Sequence, residues 1–365
     1  SYNTAVGISA LFSATTGTGV NTAIGREALY ATTTGTGNTA VGQSAMLGNT
    51  TGTNNVAMGV DSLRSNTTAS NNTAVGYTAA YSNTTGANNV ALGYQALYSN
   101  TTGVNNTALG FEALRVNTAN YNSAVGHQAL GANTTGTNNT AIGYTALSSN
   151  TTGTNNTALG YIAMVAKTTG DNNTALGMNA AASLTTGGNN VFVGTSAGQD
   201  GTSLTTGSNN IYIGYAAQAA AAGESASIVI GVNIVGKGTN TGFMNPGGGG
   251  GMFQGNNSAS WSTTSDQRIK KNIVDVAGAL DKILALRPVE FDYKENDKHE
   301  VGFIAQEYQQ VLPDQVITHA ANEAEKQWVD EDGKVMGISQ NLVPYLVKAI
   351  QELKAEFDAY KSTHP

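Results

Sequence analysis

Side chains able to do chemistry are unevenly spread along this chain of 365 residues. Residues 1–264 hold 5 Lys/Arg and 6 Asp/Glu, whereas residues 265–365 hold 12 and 18. The change falls in the stretch WSTTSDQRIKKNI, residues 261–273, where Ser265, Asp266, Arg268, Lys270 and Lys271 follow one another closely. Taken alone, Ser265-Asp266 ahead of a helical region reads as a helix cap, and Arg268-x-Lys270-Lys271 as a solvated basic run. The chain has no Cys, which excludes thiolate chemistry, disulfides and Cys-ligated metal. No metal site and no cofactor is expected. A net charge of −7 argues against nucleic acid as the main partner.

A second set of candidates lies in the low-charge region. Glu27, Asp61 and Glu112 each stand two places after a recurring glycine, where other repeats carry Ser44, Gln95 or Gln128. A glycosidase needs two carboxylic acids flanking one bond, and no repeat concentrates such a pair. The position therefore reads as variable and solvent-facing. One place earlier, Tyr77, Tyr94, Phe111, His127, Tyr144 and Tyr161 follow the same glycine in six successive repeats. That spacing predicts an aromatic ladder along the molecule. A ladder either binds sugar rings or stabilises the rod by stacking and packing between chains, and packing is the preferred reading. The many Asn-x-Thr sequons follow from the repeat composition and say little about glycosylation.

The element that must position these residues is the repeat itself. The pentapeptide Asn-Thr-Ala-(Val/Ile/Leu)-Gly, or a close variant, ends at Gly7, Gly25, Gly42, Gly59, Gly76, Gly93, Gly110, Gly126, Gly143, Gly160, Gly177, Gly194, Gly214 and Gly231. Steps of 17 residues dominate, with single steps of 18, 16 and 20. Alternation within NVALG predicts a short strand, Val90 and Leu92 facing one way and Ala91 the other. In the TTGxNN turn, Gly is expected to supply a positive φ angle and Asn side-chain-to-backbone bonds. So much Thr, Asn and Gly disfavours a helix. About three apolar side chains per coil are too few for a core, so coils must stack on one another. The recurrent alanines suggest a flat face that packs against identical chains, and a threefold assembly closes such a contact.

The Asn-x-Ala-(Ile/Val)-Gly coils, over about residues 1–231, resemble the heads of trimeric bacterial adhesins, which have a shorter repeat. They resemble still more the repeat shafts of phage tail fibres. The resemblance implies a mainly β fold, a homotrimeric parallel β-roll or β-solenoid shaft, left-handed in the adhesin heads. After Gly231 the repeat fails. Residues 232–264 carry Pro246, five consecutive glycines and the aromatics Phe243, Phe253 and Trp261. This stretch is either a linker or a tightly wound fibre tip. Aromatics at a tip would contact a receptor or plug the trimer axis.

Residues 265–365 have the composition of an ordinary globular domain. DVAGALDKILALRP reads as an amphipathic helix with Leu280, Ile283, Leu284 and Leu286 apolar, followed by Pro288. VEFDY alternates as a half-buried strand, and VGFIAQEYQQVLP turns from strand into a helix stopped at Pro313. At the end, Leu346, Ile350, Leu353, Phe357 and Tyr360 mark a heptad seam suited to a coiled coil. Pro344 fits the first turn, with Ser339 or Asn341 as cap.

Five ordered blocks, SDQRIKKNI, LRPVEFDY, VGFIAQE, LPDQV and LVKAIQEL, make this domain similar to the self-cleaving intramolecular chaperone at the C-terminus of endosialidase tailspikes and phage tail fibres. VMGISQNLVPYL departs from members that carry an Asp-Tyr pair there. The resemblance implies single-turnover autoproteolysis at Thr264–Ser265, with Ser265 as nucleophile and Lys270 as general base, a recognised variant of the activated nucleophile. Lys270 would have to lose its proton, which burial or the neighbouring Arg268 and Lys271 favour. Asp266 would orient the turn or the lysine. Ser265 attack through an ester and attack by an activated water both remain open. No activity on an external substrate is expected.

The expected organisation is therefore a shaft at 1–231, a Gly-rich tip at 232–264 and an auto-processing chaperone at 265–365. The expected protein is the distal part of a homotrimeric tail fibre of the virion, its chaperone acting in the host cytoplasm and its fibre meeting a host cell-surface receptor, a polysaccharide or an outer-membrane component. Phe243, Phe253, Trp261 and the ladder residues Tyr77, Tyr94, Phe111, Tyr144 and Tyr161 are the receptor-contact candidates. A bacterial trimeric surface adhesin is the alternative, and a polysaccharide-degrading tailspike ranks last. The chain starts in mid-pattern at SYNTAVG, shows no basic-then-apolar leader and has no apolar run long enough to insert in a membrane.

Overall fold

The computed structural model describes residues 2–14, 19–199, 201–245, 252–254, 262–263, 271–292, 294, 299–320, 334–338 and 342–364. Two compact units are present, Ser1–Thr264 and Ser265–Pro365.

Strands β1 (Thr4–Val6) to β14 (Ile228–Gly231) stack in chain order, one per coil. Each pairs in parallel with the next, and in most coils like meets like, as in Thr157↔Thr174, Ala158↔Ala175 and Leu159↔Leu176. Hydrogen bonds continue around the coil, from Leu97 N to Ala113 O at 2.9 Å and from Thr84 N to Thr101 O at 2.9 Å. The shaft is a parallel β-solenoid, as the period predicts.

The two faces of each strand are assigned the other way round from the expectation that alanines meet a neighbouring chain. The central alanine, from Ala23 to Ala175, is fully buried inside its own coil, while Ile24, Met58, Leu92, Ile142, Leu159 and Leu176 are 37–45% exposed outside. Size decides this. The interior must also hold a second alanine and a Leu or Met from the returning arc, such as Ala96 and Leu97, so only a methyl group fits from the strand side.

Most of the buried polar side chains are satisfied by stacking. Asn38 N donates to Asn21 Oδ1 at 2.9 Å and Asn38 Nδ2 to Gly52 O at 2.8 Å, a pattern repeated up to Asn210. A second inner column runs Asn49, Asn66, Asn83, Asn100, Asn117, Asn133, Asn150, with Asn66 Nδ2 donating to Asn49 Oδ1 at 2.8 Å. These ladders meet most of the hydrogen-bonding requirement of a polar interior; Asn100 Oδ1 and Asn150 Oδ1, at the points where the second column is interrupted, have no partner among the described residues.

Positive φ falls elsewhere than the turn glycine. The repeat glycines take it, from +127° at Gly214 to +150° at Gly231, and so do turn asparagines such as Asn54. Leu29, Met46, Leu63 and their equivalents also lie near +50°, an uncommon place for a bulky residue. Gly52, in the TTG turn, is required by close approach: a Cβ there would lie 2.3 Å from Ala69 O and 2.4 Å from Asn49 Oδ1.

Toward its C-terminal end the roll changes its filling. The alanine column becomes Phe192, Tyr212, Val229 and Phe243, all buried. Phe192 and Tyr212 stack at 5.5 Å. Tyr212 donates its hydroxyl to buried Glu224, whose other oxygen accepts from Ala220 N and Ala221 N at 2.8 and 3.2 Å. Burial, then that carboxylate, pushes the Tyr212 phenol up. In the inner column Lys167 replaces asparagine and is wholly buried, donating from Nζ to Gly187 O at 2.8 Å, and Leu184 follows it. Three further strands extend the sheet: β15 (Gly242–Asn245) joins β14 in parallel, and β16 (Met252–Gln254) and β17 (Ser262–Thr263) follow antiparallel.

The second unit holds α1 (Ala279–Ala285), β18 (Val289–Asp292), β19 (His299–Gly302), α2 (Ala305–Val311), β20 (Val316–Ala320), β21 (Lys334–Ile338) and α3 (Val343–Thr363). β18 pairs antiparallel with β19, and β20 with β21. α1 packs on α3, where Leu280 N donates to Glu352 at 2.7 Å, but Leu284 is left exposed rather than on the packed face. Pro344 does sit in the first turn of α3, and Leu342 precedes the helix with no side-chain cap. The expected caps Ser339 and Asn341 lie outside the described residues. On α3 only Ala349 is buried; Leu346, Ile350, Leu353, Phe357 and Tyr360 are exposed.

Candidate functional site

The repeat glycine ends each strand and turns the chain, which puts the next side chain at one height on every coil. The expected ladder is present: Tyr77, Tyr94, Phe111, His127, Tyr144 and Tyr161 stack with centroid spacings of 5.0–5.6 Å. The Tyr and Phe rings remain 43–52% exposed. The Nδ1 of His127 is buried in the stack with no partner among the described residues. A second, shorter column four places further on stacks Tyr81 on Tyr98 at 5.2 Å.

The position between these columns is not simply solvent-facing. Glu27, Asp61 and Glu112 have positive φ and are half-buried, and Ser44 and Thr78 at the same place are buried. The left-handed backbone tucks the side chain against the arc. Asp61 pairs with Arg64 at 3.2 Å and Glu112 with Arg115 at 3.7 Å. Among the described residues no group of three or more His, Asp or Glu side chains is placed to hold a metal ion.

Of the tip candidates, Phe243 is buried as the last member of the core column, with Lys237 Nζ 4.6 Å from its ring centre. Its ring is buried within its own roll, where it pairs with Val229 of β14. Phe253 lies on β16 opposite Phe243 and Ser262. Trp261 lies outside the described residues. So do Thr264, Ser265, Asp266 and Lys270, so that the proposed dyad has no geometry here.

In the second unit, two of the sequence blocks are joined directly. Arg287 donates from Nη2 and Nε to the two carboxylate oxygens of Glu307 at 2.5 and 3.0 Å. That bidentate bond holds the Glu307 carboxyl below its usual range. No helix among the described residues is long and apolar enough to cross a membrane.

These features define a parallel β-solenoid rod followed in sequence by a small α/β unit. Residues 265–317 match the family model described as chaperone of endosialidase, beginning at the first residue of the second unit. No curated protein and no solved structure matches the chain.

Proposed function

We propose that this chain is the distal part of a homotrimeric phage tail fibre, made as a precursor whose C-terminal unit drives trimerisation and folding and then cleaves itself off at Thr264–Ser265. The order of parts carries the reading: a unit built on a repetitive roll ends at that residue pair, and a segment matching the chaperone family begins there.

The need for such a chaperone follows from the pairing. A stack in which Thr meets Thr and Ala meets Ala specifies its register weakly. The exposed seam of α3 is suited to bring three chains together first. The exposed Val/Ile/Leu/Met column and the ring ladder beside it form an apolar stripe along the rod, the kind of surface that an assembly covers. In this reading the ladder stabilises the trimer, and Phe253 and Trp261 are tip residues for contact with a host cell-surface receptor. Removing the chaperone after winding makes the stability of the fibre kinetic.

In the proposed cleavage, Lys270 takes the hydroxyl proton of Ser265 as its oxygen adds to the Thr264 carbonyl. The Thr264–Ser265 C–N bond breaks, the serine nitrogen gains a proton, and water hydrolyses the resulting ester. Attack by a Lys270-activated water yields the same products. A denaturing gel of purified protein should show fragments ending and beginning at this bond, with chemical cross-linking giving trimers. Ser265→Ala and Lys270→Ala should remain uncut; cleavage of both at the wild-type rate would remove the dyad.

A further inference from the structure

The shaft contains one arrangement twice, closed in one place and open in the other. In the first, Asp61 pairs with Arg64 at 3.2 Å, and the next residue up the column is Tyr81. Tyr81 covers the guanidinium, its hydroxyl accepting from Arg64 Nη1 at 2.8 Å and its ring centre lying 5.7 Å away. In the second, Glu112 pairs with Arg115 at 3.7 Å, but the next residue up the column is Gly131. This is the one 16-residue step of the repeat, from Gly110 to Gly126.

Without the ring, a groove of about 340 Å³ remains, bordered by Glu112, Arg115 and Gln128 and floored by Gly131, Ala132 and Ser148. Its volume lies within the range of about 300–1,000 Å³ typical of small-molecule sites. The border is already ordered. Gln128 Nε2 donates to Glu112 Oε2 at 2.8 Å, and Arg115 Nε donates to Gln95 Oε1 at 3.2 Å. The Nη groups of Arg115 have no partner among the described residues, unlike Nη1 of Arg64. The charged pairs also mark this flank of the coil as one that faces water rather than a neighbouring chain.

We propose that this groove is a saccharide subsite, in which a neutral hexopyranose takes the place that Tyr81 holds one site earlier. The chemistry needed is that of a six-membered ring with hydroxyls on its edge. A hydroxyl accepts from Arg115 as the Tyr81 hydroxyl does from Arg64, and vicinal hydroxyls donate to Glu112 and accept from Gln128. The Glu112 carboxylate disfavours an anionic sugar at the same point. The proposal rests on the receptor-binding reading above and assigns its chemical class and place on the shaft.

The test is a titration of the full chain with methyl α-glucoside, methyl β-galactoside, methyl α-mannoside and N-acetylglucosamine, and with tetrasaccharides of each, followed by saturation-transfer NMR and calorimetry. At least one neutral series should bind saturably. Arg115→Ala and Gly131→Tyr should each weaken it about tenfold or more, from loss of a charged hydrogen bond and from occupation of the groove. Arg64→Ala, at the closed site, should leave it unchanged. Gly131→Ser, which copies Ser148 in the next coil, serves if Gly131→Tyr fails to fold, and should weaken binding less than Arg115→Ala. Absence of binding by all four series, or binding insensitive to Arg115→Ala, overturns the subsite. The gel assay of cleavage at Thr264–Ser265 reads the fibre proposal separately, so a failure there leaves this titration to decide the groove.

Discussion

The ring of Phe192 occupies the space that Gly198 leaves. A Cβ on Gly198 would lie 2.4 Å from Phe192 Cε1, and the backbone there has φ +74°. In the coil of Ala158 the same two places hold Ala158 and Met164, both buried. Large and small have been exchanged across the core, and the filling is conserved. Gly198→Leu alone should overpack the coil and cost about 1–3 kcal/mol. Phe192→Ala alone should leave a cavity and cost about 3–5 kcal/mol. The double variant restores the common pattern and should be more stable than the sum, with a coupling of about 1–3 kcal/mol in a thermal or denaturant double-mutant cycle.

Lys167 gives the shaft a pH dependence. Burial, opposed only by the charge of Asp171, lowers its pKa from 10.5 to about 8. The folded state therefore releases this proton more readily than the unfolded chain. Below about pH 8 both states hold it and the full cost of burying the ammonium, about 3 kcal/mol, is present. Between about 8 and 10.5 the folded state loses the proton first, so stability rises with pH across that window. Lys167→Met should raise the melting temperature at pH 7 and flatten its rise between pH 8 and 10.

The ladder should be completed rather than broken by a sixth carbon ring. His127 stacks between Phe111 and Tyr144 at 5.1 and 5.0 Å with its Nδ1 unsatisfied. His127→Phe removes the orphaned nitrogen and should stabilise by roughly 0.5–1 kcal/mol. Tyr144→Ala should open the stack and destabilise, and comparison of the two melts checks the direction.

The repeat glycines admit no side chain. At Gly143, φ is +143° and a Cβ would lie 2.2 Å from Gly160 O. Gly143→Ala should cost more than about 3 kcal/mol, because backbone strain is joined by a backbone clash. Loss of soluble, cooperatively melting protein is the expected readout.

The seam of α3 should govern assembly. Ile350→Asp with Leu353→Asp places charge on exposed apolar positions of a single chain, so the second unit should still fold. Sedimentation of the uncut precursor should then report monomers where the parent chain gives trimers.

Much of the architecture was legible because the period is physical: identical residues one coil apart must stack, and the ring ladder follows from one position per coil. The assignment of strand faces was inverted, because alternation separates Ala91 from Val90 and Leu92 without saying which side is the narrow one. Leu29 and its equivalents at positive φ were illegible, since nothing in a leucine announces a left-handed backbone. The Phe192–Gly198 exchange was written as two departures from the repeat, visible only when read together across the coil. Phe243 reads as a tip residue because the pentapeptide has ended, although its pairing with Val229 continues the core column. The groove had its own signal in Gly131, a glycine where Tyr81 and Tyr98 have rings at the same place of their coils.

A stack of like upon like has a translational symmetry. Moving it by one whole coil restores Thr on Thr, Ala on Ala and Asn on Asn. The steps of 18, 16 and 20 residues break that symmetry, as does the changed filling from Lys167 onward. They act as index marks on a ruler, and three chains wound together are in step only where the marks coincide. The same symmetry makes reach a free variable. Excising or duplicating one regular coil returns a chain that still closes on its neighbours, so unequal recombination within the gene can lengthen or shorten the rod without any new design of its interior.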